Sequence, residues 1–478
     1  MRITNGMMIN NSLNNISRNK RLSDKLNTQL ATTKKIQRPS EDPIVAIRAL
    51  RLRSTYNEIE QYLDKNIPDA RSWMEATQEA IESINSVLTD ISHYCNQGVN
   101  GYETVEERNT LVTTLKQLRD QIYADGDADL IGRTLFTGHK TNSTLTFQEK
   151  EENTKYSITQ KFNVDDLVNA NRIHGIDIEN VEAVAASEVK NHEQHIMYLA
   201  YDGVVLDTTN TDTITIDGTS YKVEERSKDD NDVYSEVAAD SIAYVKETGE
   251  LLLGENAFKA ITEGGEMTVS YEKTGFVKGE LRPEHYFKCT NETKGVEYEI
   301  EDQPIRYTIN FNQQMTINTQ AQNVLPHAIS RDLDDIINSV VVAVDIQTKI
   351  QSLEKRLETE KDEKAIADIN YMLDAAELEF SYAEHNMKEA FSRGITRYKE
   401  HQEKLGIELS DIGARLIRLS LNEERLSAQK LNVEDLKSKN EEIEQEEVAV
   451  EWAAAEAVYD ASLATAAKVV QKSLLDFI

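Results

Sequence analysis

What this chain has little of narrows it most. Of its 478 residues only two are cysteine, Cys95 and Cys289, and two thiols cannot make a disulfide framework. Proline (6), glycine (19) and aromatic residues (6%) are all scarce, a composition that suits long helices with a minority of polar β structure. No apolar run approaches the ~18–20 residues that cross a bilayer. The opening residues, Met1 to Asn10, lack a basic segment followed by an apolar stretch and a small-residue cleavage site, so any export is expected to proceed without a cleaved signal. Positive charge is short as well: 53 Lys+Arg against 84 Asp+Glu leave a net charge of −31, which opposes nucleic acid and anionic membrane surfaces as partners. The length exceeds what one hydrophobic core usually fills, so two or three domains are expected.

Catalytic and metal-binding patterns are missing too. His192 and His195 stand three apart and would share a helix face, but no Cys, Asp or Glu lies at zinc-site spacing beside them. Gly132 to Gly138 superficially resembles a phosphate loop, yet five residues separate the glycines where four are needed, and His139 stands where that loop needs lysine. There is no Gly-x-Ser-x-Gly, His-Glu-x-x-His or dinucleotide fingerprint. The reading is therefore not an enzyme, with no catalytic residue, no cofactor and no metal.

What is present is charge and helical periodicity at the two ends. Residues 1–38 carry eight basic residues and one acid, Asp24, hence about +7, while residues 440–478 carry nine acids and two lysines, hence about −7. Apolar residues recur at helical spacing in both: Ile9, Leu13, Ile16, Leu22, Leu26 and Leu30 at the front, Leu463, Val470, Leu474 and Phe477 at the back. Each arm could lie on the nearest core, but matching seams and opposite charges favour packing of one arm on the other.

Between the arms, Met74, Thr77, Ile81, Ile84, Leu88, Ile91 and Cys95 form a heptad seam that makes Cys95 core. A break at Gly98 to Gly101 leads to a returning helix through Leu111, Leu115, Leu118 and Ile122. From about 148 the period becomes two, as in Ile305, Tyr307, Ile309 and Phe311, and Asp217-Gly218 marks a type I′ hairpin. A helix-like stretch at 181–200 would subdivide this region. Helical spacing resumes at Ala343, giving a long hairpin over 343–400, and runs on through Leu405, Leu409, Ile412, Leu416 and Leu419 after a stutter. The expected domains are terminal arms (1–42 plus 440–478), a helical bundle (43–147 plus 326–439) and a β-rich outer domain (148–325). The fold class is mainly α with a β-rich insertion.

Several short motifs now stand out. Met1-Arg-Ile-Thr-Asn-Gly-Met-Met, the element Arg38-Pro39-Ser40-Glu41-Asp42-Pro43, Ile412-Gly-Ala-Arg415-Leu416 and the ending Leu474-Leu-Asp-Phe-Ile478 resemble the flagellar hook-associated proteins, the hook–filament junction branch of the flagellin family. Pro39 and Pro43 set it apart from filament flagellins, whose matching element lacks them. The resemblance implies a flagellin-like fold whose N- and C-terminal helices pack as coiled-coil arms. It implies a structural adaptor outside the cell, exported unfolded through the flagellum's own type III secretion channel after release from an export chaperone. Its partners would be further copies of itself in a ring, the first hook-associated protein and flagellin. A filament flagellin is the nearest alternative, and a flagellin-like scaffold carrying a cell-wall-active β domain is the alternative of another class.

Overall fold

The computed structural model describes residues 5–101, 104–174, 189–206, 213–228 and 233–475, the last seven of these for the backbone alone. Helices α1 (Asn5–Thr32), α2 (Pro43–Gln61), α3 (Ile67–Asn100) and α4 (Val105–Gly126) open the chain. A short hairpin of β1 (Asp129–Leu130) and β2 (Arg133–Thr134) follows. Then come β3 (Glu151–Phe162), β4 (Val168–His174), β5 (Lys190–Tyr198), β6 (Val205–Leu206), β7 (Thr213–Ile216), β8 (Thr219–Arg226), β9 (Ser241–Val245) and β10 (Glu250–Leu253). Helix α5 (Glu255–Thr262), β11 (Met267–Phe276), β12 (Lys288–Asn291), β13 (Val296–Tyr298), β14 (Arg306–Asn310) and β15 (Gln313–Thr316) complete the β-rich part. The short α6 (Ala321–Val324), then α7 (Ala328–Thr359), α8 (Glu363–Glu441) and α9 (Gln445–Leu475) return the chain to helix. It is mainly α with a β-rich insertion. Two compact units result: Met1–Ala70 with Tyr307–Met315 and Ile417–Ile478, and Arg71–Arg306 with Thr316–Leu416.

The α3 seam is buried as its spacing requires: Met74, Ile81, Ile84, Leu88, Ile91 and Cys95 are all 0% exposed. Thr77, the polar member, donates its hydroxyl to the Trp73 carbonyl at 2.7 Å and so is itself satisfied in the core. The sequence places a break over Gly98 to Gly101, and α3 stops at its far end, running on to Asn100 and ending at Gly101, whose φ is +120°. Gly98 has a packing role instead. A Cβ there would stand 2.5 Å from the Phe391 ring of α8. Gly394 does the same from the other side, bringing the α8 backbone against Ile336 and Cys95. Helix α4 begins with a capping box, Thr104 and Glu107 satisfying each other's backbone N–H groups.

Where α2 meets α3, the chain widens into one π turn, Tyr62–Asn66, with the Ile67 N–H reaching back to the Tyr62 carbonyl. Pro68 sits immediately after; it donates no hydrogen bond and its ring crowds the preceding turn, which the wider turn relieves. Tyr62 and Asn66 hold this turn through the Phe311 ring, edge-on at 5.5 Å, and the Thr308 carbonyl at 2.7 Å.

Among the described residues, most strands join one sheet in the order β13-β12-β3-β11-β7-β8-β9-β10-β5-β4, with β6 also on β11. The pairings are antiparallel except β8 with β9. Asp217 and Gly218 turn the β7–β8 hairpin with φ of +46° and +81°, as their sequence signal requires. The helix-like reading of 181–200 is corrected: 181–188 lie outside the described residues, and Lys190–Tyr198 is β5, hydrogen-bonded to both β4 and β10. Pairing on both edges outweighs its weak local helical spacing.

Asp335 of α7 ties this sheet to the helices. It accepts from Arg172 of β4 at 2.7 Å, Arg393 of α8 at 3.0 Å and the Tyr198 hydroxyl of β5 at 2.9 Å. Arg172 also reaches Glu250 of β10 at 3.0 Å. Burial alone would raise the Asp335 carboxyl, but the two guanidinium groups hold it down to about 2.

Two outcomes are expected. The folded value of Asp335 lies below that of an unfolded aspartate, so its stabilisation is present above about pH 4 and fades as pH falls toward 2. Asp335→Ala, which leaves Arg172 with Glu250 alone and takes the carboxylate from half-buried Arg393, should cost about 1–3 kcal/mol in denaturant titration at pH 7 and much less near pH 2. Cys95 and Cys289, both buried with thiols pushed up to about 12 by desolvation, should react slowly with a thiol reagent in the native protein and fast in denaturant.

Candidate assembly surface at the chain ends

Helix α1 stops at Thr32 because Thr33 takes a left-handed conformation, φ +58°. The next residues pair with the segment after α8: the Lys35 N–H donates to the Glu441 carbonyl at 2.8 Å, and the Ile443 N–H to the Thr33 carbonyl at 3.2 Å. This bridge sets α1 and α9 side by side. Asp42 then caps α2, its carboxylate accepting from the Ile44 and Val45 N–H groups at 3.0 and 3.2 Å, with Pro43 in the first turn. Arg38, Pro39 and Ser40 form an exposed connection before that cap.

A carboxylate fastens the junction. Glu441, 4% exposed, receives a two-pronged contact from Arg53 of α2, Nε to Oε1 at 2.8 Å and Nη2 to Oε2 at 2.5 Å, with Lys34 at 3.7 Å. The Arg53 hydrogen bond lowers the Glu441 carboxyl from its ordinary value and raises the guanidinium in turn. Neither residue stands out in the sequence, since Glu441 belongs to an acidic run that reads as solvated surface. Arg415 acts elsewhere, donating to the carbonyls of Thr316 and Asn318 at 3.3 and 3.2 Å where the chain leaves β15.

The two arms do pack together, and Ile9, Ile16, Leu26 and Leu30 of the expected front seam are covered, with small residues completing the line. On α1 the seam positions are Ile9, Ser12, Ile16, Asn19, Ser23, Leu26 and Leu30; on α9 they are Val448, Trp452, Ala455, Tyr459, Ser462 and Ala466. Both keep the 3-4 alternation. Asn19 Nδ2 donates across the seam to Ser462 Oγ at 2.5 Å. Leu13, Leu22 and Leu463 are corrected out of this seam, being 55%, 50% and 42% exposed. Small polar residues allow close approach of the backbones, and sequence reading follows the large apolar ones instead. The side chains of Val470 and Leu474, and all of Phe477, lie outside the described residues.

Where the arms are bridged, Lys34 pairs with Glu441 and Glu442 at 3.7 and 3.1 Å, but the opposite charges along α1 and α9 do not meet. Arg18, Lys20, Arg21 and Lys25 of α1 are exposed, as are Glu447, Glu451, Glu456 and Asp460 of α9, and among the described residues no ion pair joins the two sets. The apolar residues left out of the seam are exposed with them: Met8, Leu13 and Leu22 on α1, Val450, Val458 and Leu463 on α9.

The histidine pair is separated by its strand. His192 and His195 are both on β5, where residues three apart point to opposite faces; His195 stacks on Phe258 at 3.6 Å and contacts Asn169 at 2.8 Å. Among the described residues no three His, Cys, Asp or Glu side chains converge on a metal position, and no helix is long and apolar enough to cross a membrane.

The family description "bacterial flagellin N-terminal helical region" matches residues 3–141, which reach from α1 through the β1–β2 hairpin. Part of the chain is similar in sequence to flagellar hook-associated protein 3. It is 29% identical over 148 residues to that protein of Salmonella typhimurium, covering 30% of this chain and 45% of the relative. With that of Escherichia coli it shares 26% over 152 residues, 31% of this chain and 47% of the relative. The chain thus spans about half the length of the curated relatives it matches. A crystal structure of the flagellar junction protein from Legionella pneumophila aligns with 84% of this chain and all of its own, at 10% identity and a TM-score of 0.28, a score at which no common fold is inferred.

The junction contact yields a test. Arg53→Ala should destabilise the protein by roughly 1–3 kcal/mol, the range for a charged hydrogen-bonded partner left unmatched, read as a lowered unfolding midpoint. Arg53→Lys should recover only part, because an ammonium cannot grip both carboxylate oxygens.

Proposed function

We propose that this chain is a structural subunit of the bacterial flagellum, an adaptor placed between the hook, through the first hook-associated protein, and the flagellin filament. One observation carries the reading. Helices from both ends of the chain lie together and turn toward solvent the apolar residues that a solitary helix pair would bury, Leu13, Leu22, Val458 and Leu463 among them. A protein that works alone gains nothing from that arrangement, whereas one whose neighbours cover the arms gains its cohesion there. Flagellin-type N-terminal sequence over residues 3–141 and the relationship to hook-associated protein 3 support the same placement. Pro39 and Pro43, one before the α2 cap and one inside it, favour a junction subunit over a filament flagellin. Further copies of the chain, the first hook-associated protein and flagellin are the proposed neighbours, with an export chaperone before assembly. The work is mechanical, joining one helical lattice to another through head-to-tail contacts.

A fluorescently labelled copy in the living bacterium should mark one spot per flagellum; labelling along the whole filament would identify a flagellin instead. Removing 440–478 should leave a soluble protein that keeps the unfolding transition of the unit built on α3, α4 and α7, yet does not enter the flagellum. Apolar burial of roughly 1.5–3 kcal/mol per large side chain outweighs exposed ion pairs of about 0–1 kcal/mol. Normal incorporation of the truncated chain would refute the role given to the arms.

A further inference from the structure

A cavity of about 240 Å³ lies where Arg119 and Tyr123, one turn apart on α4, and Ser330, Arg331 and Asp334 of α7 face the segment after β5 and the turn after β11. Its cations are under-matched. Arg331 is 9% exposed, yet of its three nitrogens only Nε is hydrogen-bonded among the described residues, donating to the Leu199 carbonyl at 2.6 Å. Nη1 stands 3.7 Å from Asp334, beyond hydrogen-bond reach, and Nη2 has no hydrogen-bond partner among the described residues. Arg119 donates to the same carboxylate at 2.8 Å through Nη1, but its Nε has no hydrogen-bond partner among the described residues, with Asp120 standing off at 3.9 Å. One half-buried carboxylate thus serves two guanidinium groups. Two other acids of the lining are engaged: Glu280 and Asp202 both pair with Lys273, at 3.4 and 3.3 Å, and Glu280 also accepts from the Val277 N–H at 2.7 Å. Lys278, exposed on the turn after β11, brings another positive charge to the lining. His327 contributes none. The Gln160 carbonyl oxygen accepts from the Ala200 N–H at 3.0 Å, which turns the amide nitrogen toward His327 Nε2 at 3.3 Å, so that ring nitrogen accepts. Burial first, and then the charge of Arg331, lower the imidazole pKa to about 4.

We propose that this cavity binds a small oxyanion, a carboxylate or a phosphate, held by Arg119 and Arg331. The chemistry follows from what is unsatisfied. The groups of the two arginines left over are N–H donors on cations, and guanidinium forks match the paired oxygens of either anion. The Ser330 hydroxyl accepts from Tyr123 and so keeps its own proton to donate. A metal ion or an amine would meet the same guanidinium charges and be repelled. The volume lies below the roughly 300–1,000 Å³ of pockets that take drug-sized molecules, which selects a compact anion over a nucleotide or a peptide. Bound there, the anion bridges α4 to α7, so its occupancy stabilises the folded state. The site shares no residue with the arms and does not depend on the adaptor reading.

Titration calorimetry on the purified full-length chain tests this, with sodium phosphate and sodium succinate as separate probes in a chloride background of constant ionic strength. One equivalent of at least one probe should bind with a dissociation constant of about 1 mM or tighter, and the probe that binds names the oxyanion. Saturation with it should raise the unfolding midpoint by about 2 °C or more. Arg119→Gln should weaken binding at least about tenfold, the loss of a charged hydrogen bond. Arg331→Lys keeps the charge but not the fork and should weaken it by about as much. Lys278→Ala should weaken it about threefold, as for an exposed charge, while leaving the midpoint of the ligand-free protein unchanged. Because Lys278 is exposed, that variant keeps the test open even where an arginine variant does not fold. Heats from both probes no larger than those of added chloride would overturn the proposal. So would binding that Arg119→Gln and Lys278→Ala leave at wild-type strength, for then the anion sits elsewhere.

Discussion

The contact between Glu441 and Arg53 is what the arms depend on. A carboxylate at 4% exposure is costly unless its charge is matched and its oxygens are hydrogen-bonded, and the planar guanidinium does both at once. Because Glu441 also offers its carbonyl to the Lys35 N–H, one residue anchors the last turn of α8, the start of the returning arm and the end of the first arm. Shift it by a turn and α1 and α9 would leave the fold apart from each other, with no common seam and no pair of outward faces.

Asp335 plays a comparable part in the unit that holds the sheet, by a different balance. There the carboxylate lies between two arginines from separate elements and a tyrosine hydroxyl, so the sheet cannot move along α7 without stranding charge in a desolvated site. A buried network of this kind adds little net stability compared with apolar packing, but it admits one alignment and penalises others. The apolar contacts nearby, Val189 with Leu353, Met372, Ala375 and Ala376, supply cohesion that is less particular about register. This gives the long α7–α8 hairpin a packing role against the β4–β5 end of the sheet.

The arms divide their large apolar residues between the shared seam and the outward faces. Helices α1 and α9 meet through Ile9, Ile16, Leu26, Leu30, Trp452 and Tyr459 interleaved with serine, alanine and asparagine, while Leu13, Leu22, Val450, Val458 and Leu463 face outward. Small residues bring the backbones close but bury little surface, so the pair gains modestly from its own contact and has most to gain from neighbours. An energetically incomplete pair of this kind suits a subunit whose arms acquire their full environment only on assembly.

Periodicity and composition determined a good deal by themselves. The α3 seam, the Asp217-Gly218 turn, the helical hairpin after Pro326 and the mainly helical class with a β insertion follow from spacing and local backbone preference, which act over a few residues and are written directly in the chain. The end motifs likewise pointed to the family. Only tertiary structure decided the rest, because it turns on which surfaces meet. Gly98 reads as a helix breaker until Phe391 is seen filling the space its missing side chain leaves. The stretch at 190–198 becomes a strand because β4 and β10 bind both its edges. The arm seam runs through Ser12, Asn19 and Ser23 because close approach selects small residues, a preference no apolar count can reveal. Lys34 meets Glu441 and Glu442 where the arms are bridged, but the charges along α1 and α9, opposite as the sequence states, face solvent rather than each other, since helix register and not net charge sets the direction in which each side chain points.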